Sequence, residues 1–249
     1  MTYIFANWKM YLSYQEVREL SIALSQEDFD EKKLKITVFP NTINFSDVAR
    51  VFAGRSFAVG AQNVGWTPQG AYTGAVSALL FQQAGAKYAL VGHSERRYIF
   101  NEDNEAVHKK MEACLVEGII PVLCIGETAE DLKEQKREYR IKKQLSKALE
   151  GLNLKGKEII VAYEPVWAIS AGGKGTPCTP ADADNVHGWI KNELKQYTKQ
   201  NVPILYGGSV DSKNVLSYVE QGMIDGVLVG SASTKLDEFV KLVRRVESL

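Results

Sequence analysis

Side chains able to carry charge or move a proton recur at the ends of short apolar runs in this 249-residue chain. Asn7 and Lys9 end the run Tyr3–Lys9, and His93 ends Tyr88–His93 with Glu95 just beyond it. Glu164 ends Glu158–Glu164, while Gly207-Gly208-Ser209 and Gly230-Ser231 close the runs Val202–Gly207 and Asp225–Gly230. A carboxylate, an imidazole and an ammonium are the groups that acid–base chemistry with a developing negative charge uses, provided they reach one reacting centre. The small residues offer something else. Without bulky side chains, backbone N–H groups can converge on an anion, and a helix N-terminus adds the positive end of its dipole. Taken singly, each feature has an ordinary reading: a surface lysine, a glutamate paired with a cation, a satisfied core histidine, a tight turn with a serine cap. Joint chemistry follows only if the fold brings them together.

The elements that would do so are legible. Eight short apolar runs, the five above with Lys35–Pro40, Phe57–Asn63 and Ile119–Gly126, alternate with amphipathic stretches from one end of the chain to the other. Several runs are rich in Val, Ile and Leu without strict alternation, as parallel strands covered on both faces are. Helices are expected over Tyr14–Ser25, Asn104–Glu117, Ala129–Glu150, Ala181–Lys199 and Asp211–Gln221. The longest places Leu132, Tyr139, Leu145 and Leu149 on a buried stripe among charged residues, whose charge run reads as a solvated face. Eight β–α units of about 31 residues each fit an α/β fold of one kind, a single (β/α)8 barrel of eight parallel strands ringed by helices. No linker or composition break interrupts it, so residues 1–249 read as one domain. In such a barrel the C-terminal strand ends share one rim, where residues from 7 to 231 can line one pocket, and a phosphate site after strands seven and eight is a recurrent arrangement.

Composition narrows the function. Thirty basic and thirty acidic side chains give zero formal net charge, which provides no long-range attraction for nucleic acid or an anionic membrane. Cys114, Cys124 and Cys178 show no paired or CxxC spacing, and with no signal-peptide pattern at the start they point to a reducing compartment, the cytoplasm. No apolar run approaches the ~18 residues of a membrane span. No histidine lies at metal-ligand spacing from a cysteine, so a structural zinc is not expected. Gly173-Lys174-Gly175 lacks the further residues of a dinucleotide loop or a P-loop, and neither Ser94 nor Ser209 sits in a nucleophile elbow. The sequon-like Asn44-Phe45-Ser46 reads as chance.

Over nearly its whole length the chain resembles the triosephosphate isomerase family. The matching blocks are Phe5-Ala6-Asn7-Trp8-Lys9-Met10, Gly60-Ala61-Gln62-Asn63-Val64, Val91-Gly92-His93-Ser94-Glu95-Arg96-Arg97, Cys124-Ile125-Gly126-Glu127, Ala162-Tyr163-Glu164-Pro165-Val166-Trp167-Ala168-Ile169 and Tyr206-Gly207-Gly208-Ser209-Val210. The fold this resemblance implies is the TIM barrel, and the activity is the interconversion of glycerone phosphate and D-glyceraldehyde 3-phosphate. The resemblance further implies that Glu164 is the base, His93 the neutral electrophile, Lys9 a cation for the enediolate and the phosphate, and Asn7 a positioning group. Glu95 would support Lys9. Ser170, Ser209, Gly230 and Ser231 would hold the phosphate. The resemblance also implies a reaction without cofactor or metal, acid and base roles set by environment, and a loop that closes over the site. A homodimer is implied as well, the Gly65–Gly74 loop with its Trp66, Tyr72 and Thr73 entering a partner subunit. Cys124 reads as packing.

Three departures accompany the match. The segment after Ile169, Ser170–Cys178, is about three residues longer than the family's usual lid tip, so the lid should gain length at its second hinge. Ser170 and Ser231 stand where glycine is usual, which restricts φ beside the phosphate. Ala75 stands where an acidic residue is common, so an interface salt bridge to Arg96 should be missing. Two rival readings carry their own discriminators. Another phosphosugar barrel would keep the phosphate turns without needing Asn7, Lys9, His93 and Glu164 together, and a catalytically dead barrel would have lost one of those four.

Overall fold

The computed structural model describes residues 1–169 and 178–249. Among them, eight parallel strands close into a barrel in sequence order: β1 (Thr2–Asn7), β2 (Leu34–Phe39), β3 (Phe57–Ala61), β4 (Tyr88–Val91), β5 (Ile120–Ile125), β6 (Ile160–Tyr163), β7 (Ile204–Tyr206) and β8 (Gly226–Val229). β1 closes the ring, pairing Tyr3 with Gly226 and Ala6 with Val229. Each predicted apolar run matches one strand, starting one residue late at β1 and β2, and overshoots its C-terminal end, and the overshoot carries Lys9, His93, Glu164, Gly207 and Gly230.

The strands do not alternate in hydrophobicity because both faces are dry. Inward-facing Phe5, Phe39, Tyr88, Leu90, Val122, Cys124, Ile160, Ala162, Leu205 and Leu228 fill the barrel. Outward-facing Ile4, Ile36, Val38, Val59, Val91, Leu123, Val161, Val227 and Val229 pack beneath the helices. Each such side chain contributes roughly 1.5–3 kcal/mol on burial, so the barrel is a filled core whose chemistry is confined to its rims.

The helices are α1 (Tyr14–Leu24), α2 (Phe45–Val51), α3 (Ala78–Gln83), α4 (Ser94–Tyr98), α5 (Asn104–Glu117), α6 (Ala129–Lys133), α7 (Arg137–Leu149), α8 (Pro180–Leu194), α9 (Val215–Val219) and α10 (Leu236–Glu247). Their starts follow capping chemistry. Ser13 and Glu16 form a reciprocal box on α1, Asp103 caps α5, and Thr179 caps α8 with Pro180 in its first turn. α5 has the predicted bounds and ends on Gly118 at φ 75°.

Two helix expectations are corrected. The single Ala129–Glu150 helix is two, because Gln135 takes a left-handed φ of 56° and the Lys136 N–H turns back to the Asp131 carbonyl at 2.8 Å. The break lets Arg140 grip Asp131, whose carboxylate also completes a capping box with Thr128. Tyr139 therefore leaves the stripe and is 65% exposed, while Ile141, Leu145, Ala148 and Leu149 are buried. The Asp211–Gln221 helix is shorter, α9 beginning only at Val215, because Asp211 and Asn214 bond each other's backbone in a preceding turn.

Candidate active site

Gly92 sets the site's centre. At φ 71° it turns the chain sharply after β4, and a Cβ there would meet Arg97 Nη2 at 2.7 Å and Val107 Cγ2 at 2.9 Å. The turn carries His93 over the barrel mouth as the cap of α4. The Glu95 backbone N–H donates to His93 Nδ1 at 3.3 Å, so Nδ1 is the lone-pair nitrogen and Nε2 carries the proton. Buried Glu164, the residue after β6, presents Oε1 to His93 Nε2 at 3.1 Å and accepts the Ser94 N–H on Oε2 at 2.8 Å. Its backbone is wedged against β5. The Glu164 N–H donates to the Ile125 carbonyl at 2.7 Å, and a side chain on Gly126 would collide with the Glu164 carbonyl at 1.8 Å.

Asn7, the last residue of β1, is buried and brings its amide nitrogen 3.4 Å from His93 Nε2. Two N–H donors thus converge where an oxyanion would lie. Lys9 approaches from the same strand end through a left-handed backbone at φ 48°, an uncommon conformation for a side-chain-bearing residue. Asn7 Oδ1 accepts the Lys9 N–H at 3.0 Å, and the Gln62 amide donates to the Lys9 and Phe39 carbonyls at 2.9 Å each. These bonds over-determine the strained turn, as conformations of this kind require. The ammonium pairs with Glu95 Oε1 at 2.9 Å.

The pocket beside these groups is lined by Tyr11, Ile169, Val210 and Leu228 as well as by Gly207, Gly208, Ser209, Gly230 and Ser231. Lys9 Nζ lies 3.8 Å from where a Cβ on Gly230 would stand, so the ammonium reaches the turn after β8 as well as Glu95. Ser231 opens a 3-10 turn, Ser231–Thr234, whose first N–H groups have no partner within it. Its φ is not positive, so the expected restriction at this serine does not arise. The helix dipole expected behind Gly207–Ser209 is displaced, since α9 starts at Val215, and Asn214 Nδ2 bonds the Ser209 carbonyl at 3.1 Å instead. Ser170 and the lengthened lid segment lie outside the described residues.

The triosephosphate isomerase model matches residues 2–246. Similar proteins are the triosephosphate isomerases of Aquifex aeolicus, 39% identical over 96% of this chain and 97% of that protein, and of Roseiflexus sp. strain RS-1, 40% identical over 95% and 94%. That of Synechococcus sp. strain JA-2-3B'a(2-13) is 38% identical over 96% and 95%. The chain belongs to the triosephosphate isomerase family. It is an isomerase that interconverts glycerone phosphate and D-glyceraldehyde 3-phosphate.

Other residues at this rim drew no role from sequence. Gln62, at the end of its own apolar run, satisfies the same strand-end rule as His93 and Glu164, and that signal would have found it. Arg97 supports the Gly92 turn, donating to the Gly92 carbonyl at 2.7 Å, to Asn104 at 2.8 Å and to the Cys124 carbonyl at 3.3 Å. Cys124 is fully buried, and burial pushes its thiol well above the usual range, as a packing residue requires. Asn44 is buried with its amide bonded to the Tyr14 carbonyl, which excludes the sequon as a surface site. No helix among the described residues is long and apolar enough to cross a membrane.

Proposed function

We propose that Glu164 is the base of the isomerisation and His93 its electrophile, with Lys9 and Asn7 stabilising the charge that develops and Glu95 holding Lys9 in place. The observation that carries this reading is the convergence of Glu164 Oε1 and the Asn7 amide on one nitrogen, His93 Nε2, at 3.1 and 3.4 Å. In the free protein the His93 N–H is spent on Glu164. A substrate carbonyl that takes that N–H releases Oε1, so the same exchange polarises the carbonyl and frees the base. Glu164 then removes the proton from the carbon next to the carbonyl, and the electron pair of that C–H bond moves to oxygen as the enediolate forms. His93 gives its Nε2 proton to one oxygen and recovers one from the other. Glu164 returns the proton to the neighbouring carbon, leaving the isomer and a regenerated site. Lys9 and the paired donors act mainly on charge present in the transition state, which is where stabilisation accelerates a reaction. Ser209, Gly230 and Ser231 hold the phosphate through backbone N–H groups, with Ser170 assigned the same role from sequence.

Glu164→Gln keeps the shape and removes the base, so kcat should fall by about a thousandfold or more with folding intact. Steady-state kinetics decide it, and retention of a tenth of wild-type turnover overturns the assignment.

The same reading makes residues 1–249 one domain acting in the cytoplasm as a homodimer joined through the 65–74 loop. Trp66 and Tyr72 pack edge to face at 6.5 Å in that loop yet stay exposed, as do Met10, Ile99 and Phe100 beyond the ends of β1 and β4. Large apolar groups left in water at one end of a barrel favour a protein partner. Arg96 supports the loss expected at Ala75, because it is engaged within the chain with Glu102 at 3.2 Å. Sedimentation at micromolar concentration should give a dimer, and a fully active monomer would contradict it.

A further inference from the structure

One guanidinium ties the loop after β5 to the start of α8. Arg137 Nε, from the start of α7, donates to Glu127 Oε1 at 3.1 Å, and its terminal nitrogens fork onto the two Asp182 oxygens at 2.8 Å each. Asp182 lies in the first turn of α8 and is also within 3.6 Å of Cys178 Sγ. Glu127, two residues beyond β5, is the partner with consequences for catalysis. It is 0% exposed, and its Oε1 also accepts the Tyr163 hydroxyl at 3.0 Å and the Trp167 indole N–H at 2.7 Å. Its carbonyl takes the Val166 N–H at 3.0 Å. Tyr163 immediately precedes Glu164, and Val166 and Trp167 follow within three residues, so the chain on both sides of Glu164 is tied to Glu127, through its carboxylate and its carbonyl.

Three donors gathered on one oxygen call for an ionised acceptor. A carboxylate with no exposed surface resists ionisation unless a cation offsets its desolvation. We propose that Arg137 is a positioning residue for the isomerisation, keeping Glu127 ionised so that Glu127 holds the segment on either side of Glu164 and thereby sets the base against His93. This rests on Glu164 being the base. Burial pushes the Glu127 carboxyl up, and the Trp167 hydrogen bond and the Arg137 charge oppose that rise. The other groups facing it are Tyr163 from β6 and Cys178, with Asp182 of α8 across the guanidinium, while His187 stands edge-on to the Tyr163 ring with centroids 5.8 Å apart. No other cation faces Glu127 among the described residues. Neither Arg137 nor Glu127 lines the substrate pocket, so their loss should appear in kcat rather than in KM.

The test is Arg137→Met, followed by kcat and KM from pH 6 to 8.5 and by the Trp167 indole N–H resonance over the same range, assigned with Trp167→Phe. The expected result is a kcat that falls about tenfold more than wild type on going from pH 8 to pH 6, with KM within about twofold. The indole resonance should move with pH in the variant and stay fixed in wild type. Adding Glu127→Gln should remove the new pH dependence, since a neutral amide has nothing to titrate. Should Arg137→Met fail to fold, Arg137→Lys carries the same test, because one ammonium cannot serve Glu127 and fork onto Asp182, and a smaller shift in the same direction is expected. An indole resonance that does not titrate overturns the proposal, and so does a kcat profile parallel to wild type. The resonance requires no turnover. A titrating indole beside a Glu164→Gln variant that stays active would therefore sink the base assignment and leave the link from Arg137 to Glu127 standing.

Discussion

His187 offers a stability measurement whose size and sign follow from its surroundings. The side chain hangs from α8 with 0% exposure, edge-on to Tyr163, and neither ring nitrogen has a hydrogen-bond partner among the described residues. Burial, aided by the Lys191 charge, lowers its pKa from 6.5 to about 3. Above pH 6.5 the ring is neutral in the folded and unfolded chains alike, and it contributes nothing to pH dependence. Below pH 6.5 the unfolded chain takes up a proton that the folded one refuses, so stability falls by about 1.4 kcal/mol per pH unit. From pH 7 to pH 5 this ring should therefore remove about 2 kcal/mol, and the decline should continue until pH approaches 3. Full burial leaves no solvent screening to discount. Replacing His187 by leucine keeps an apolar filling and removes the titration. Urea unfolding of both proteins at pH 7, 6 and 5, at one protein concentration, measures the difference directly. Wild type should lose about 2 kcal/mol more than His187→Leu over that interval. Parallel losses would show that the ring is solvated or partnered in the folded protein, and the reasoning would fail.

Two further outcomes follow from close packing at the rim and from a buried ion cluster. Gly207→Ala would bring a methyl group 2.8 Å from Glu164 Cγ, and displacing the proposed base should lower kcat by about a hundredfold with the fold retained, a result checked by kinetics beside circular dichroism. Glu102→Gln would remove the negative charge shared by buried Lys110 and by Arg96 and leave the Lys110 ammonium with neutral acceptors, the Asn63 oxygen at 2.7 Å among them. A loss of about 3–5 kcal/mol in denaturant unfolding is expected, and a change below about 1 kcal/mol would contradict it.

The barrel was legible because its strands are dry on both faces, so Ile119–Gly126 or Asp225–Gly230 reads as an unbroken apolar run whichever way its side chains point. The candidate site was legible for a related reason: a polar residue that ends such a run has nowhere to go but the rim. That rule reached Asn7, Lys9, His93 and Glu164 and would have reached Gln62. It had no purchase on Arg137 or Glu127, whose meeting depends on α7 starting at Arg137, and hence on a left-handed Gln135 that helix periodicity over residues 129–150 conceals. Tyr139 was misread for the same reason, because the break rotates the buried stripe onto Ile141 and Ala148. The turn at Asp211–Asn214 was hidden differently. Two side chains bonding local backbone outcompeted a helix that propensity alone would have extended.

The pairing of β1 with β8 also bears on when this protein first becomes able to act. Asn7 and Lys9 leave the ribosome more than two hundred residues before Gly230, beside which the Lys9 ammonium lies. The loop joined by that contact spans residues 9 to 230, and such closures are late and slow compared with hairpins or helix pairs. A nascent chain that has already built β2 to β6 therefore holds His93 and Glu164 without the cation and anion cradle that complete the pocket. The enzyme cannot begin work on a partial translation product, and a chain ending before β8 should be inert however well its remaining strands pair.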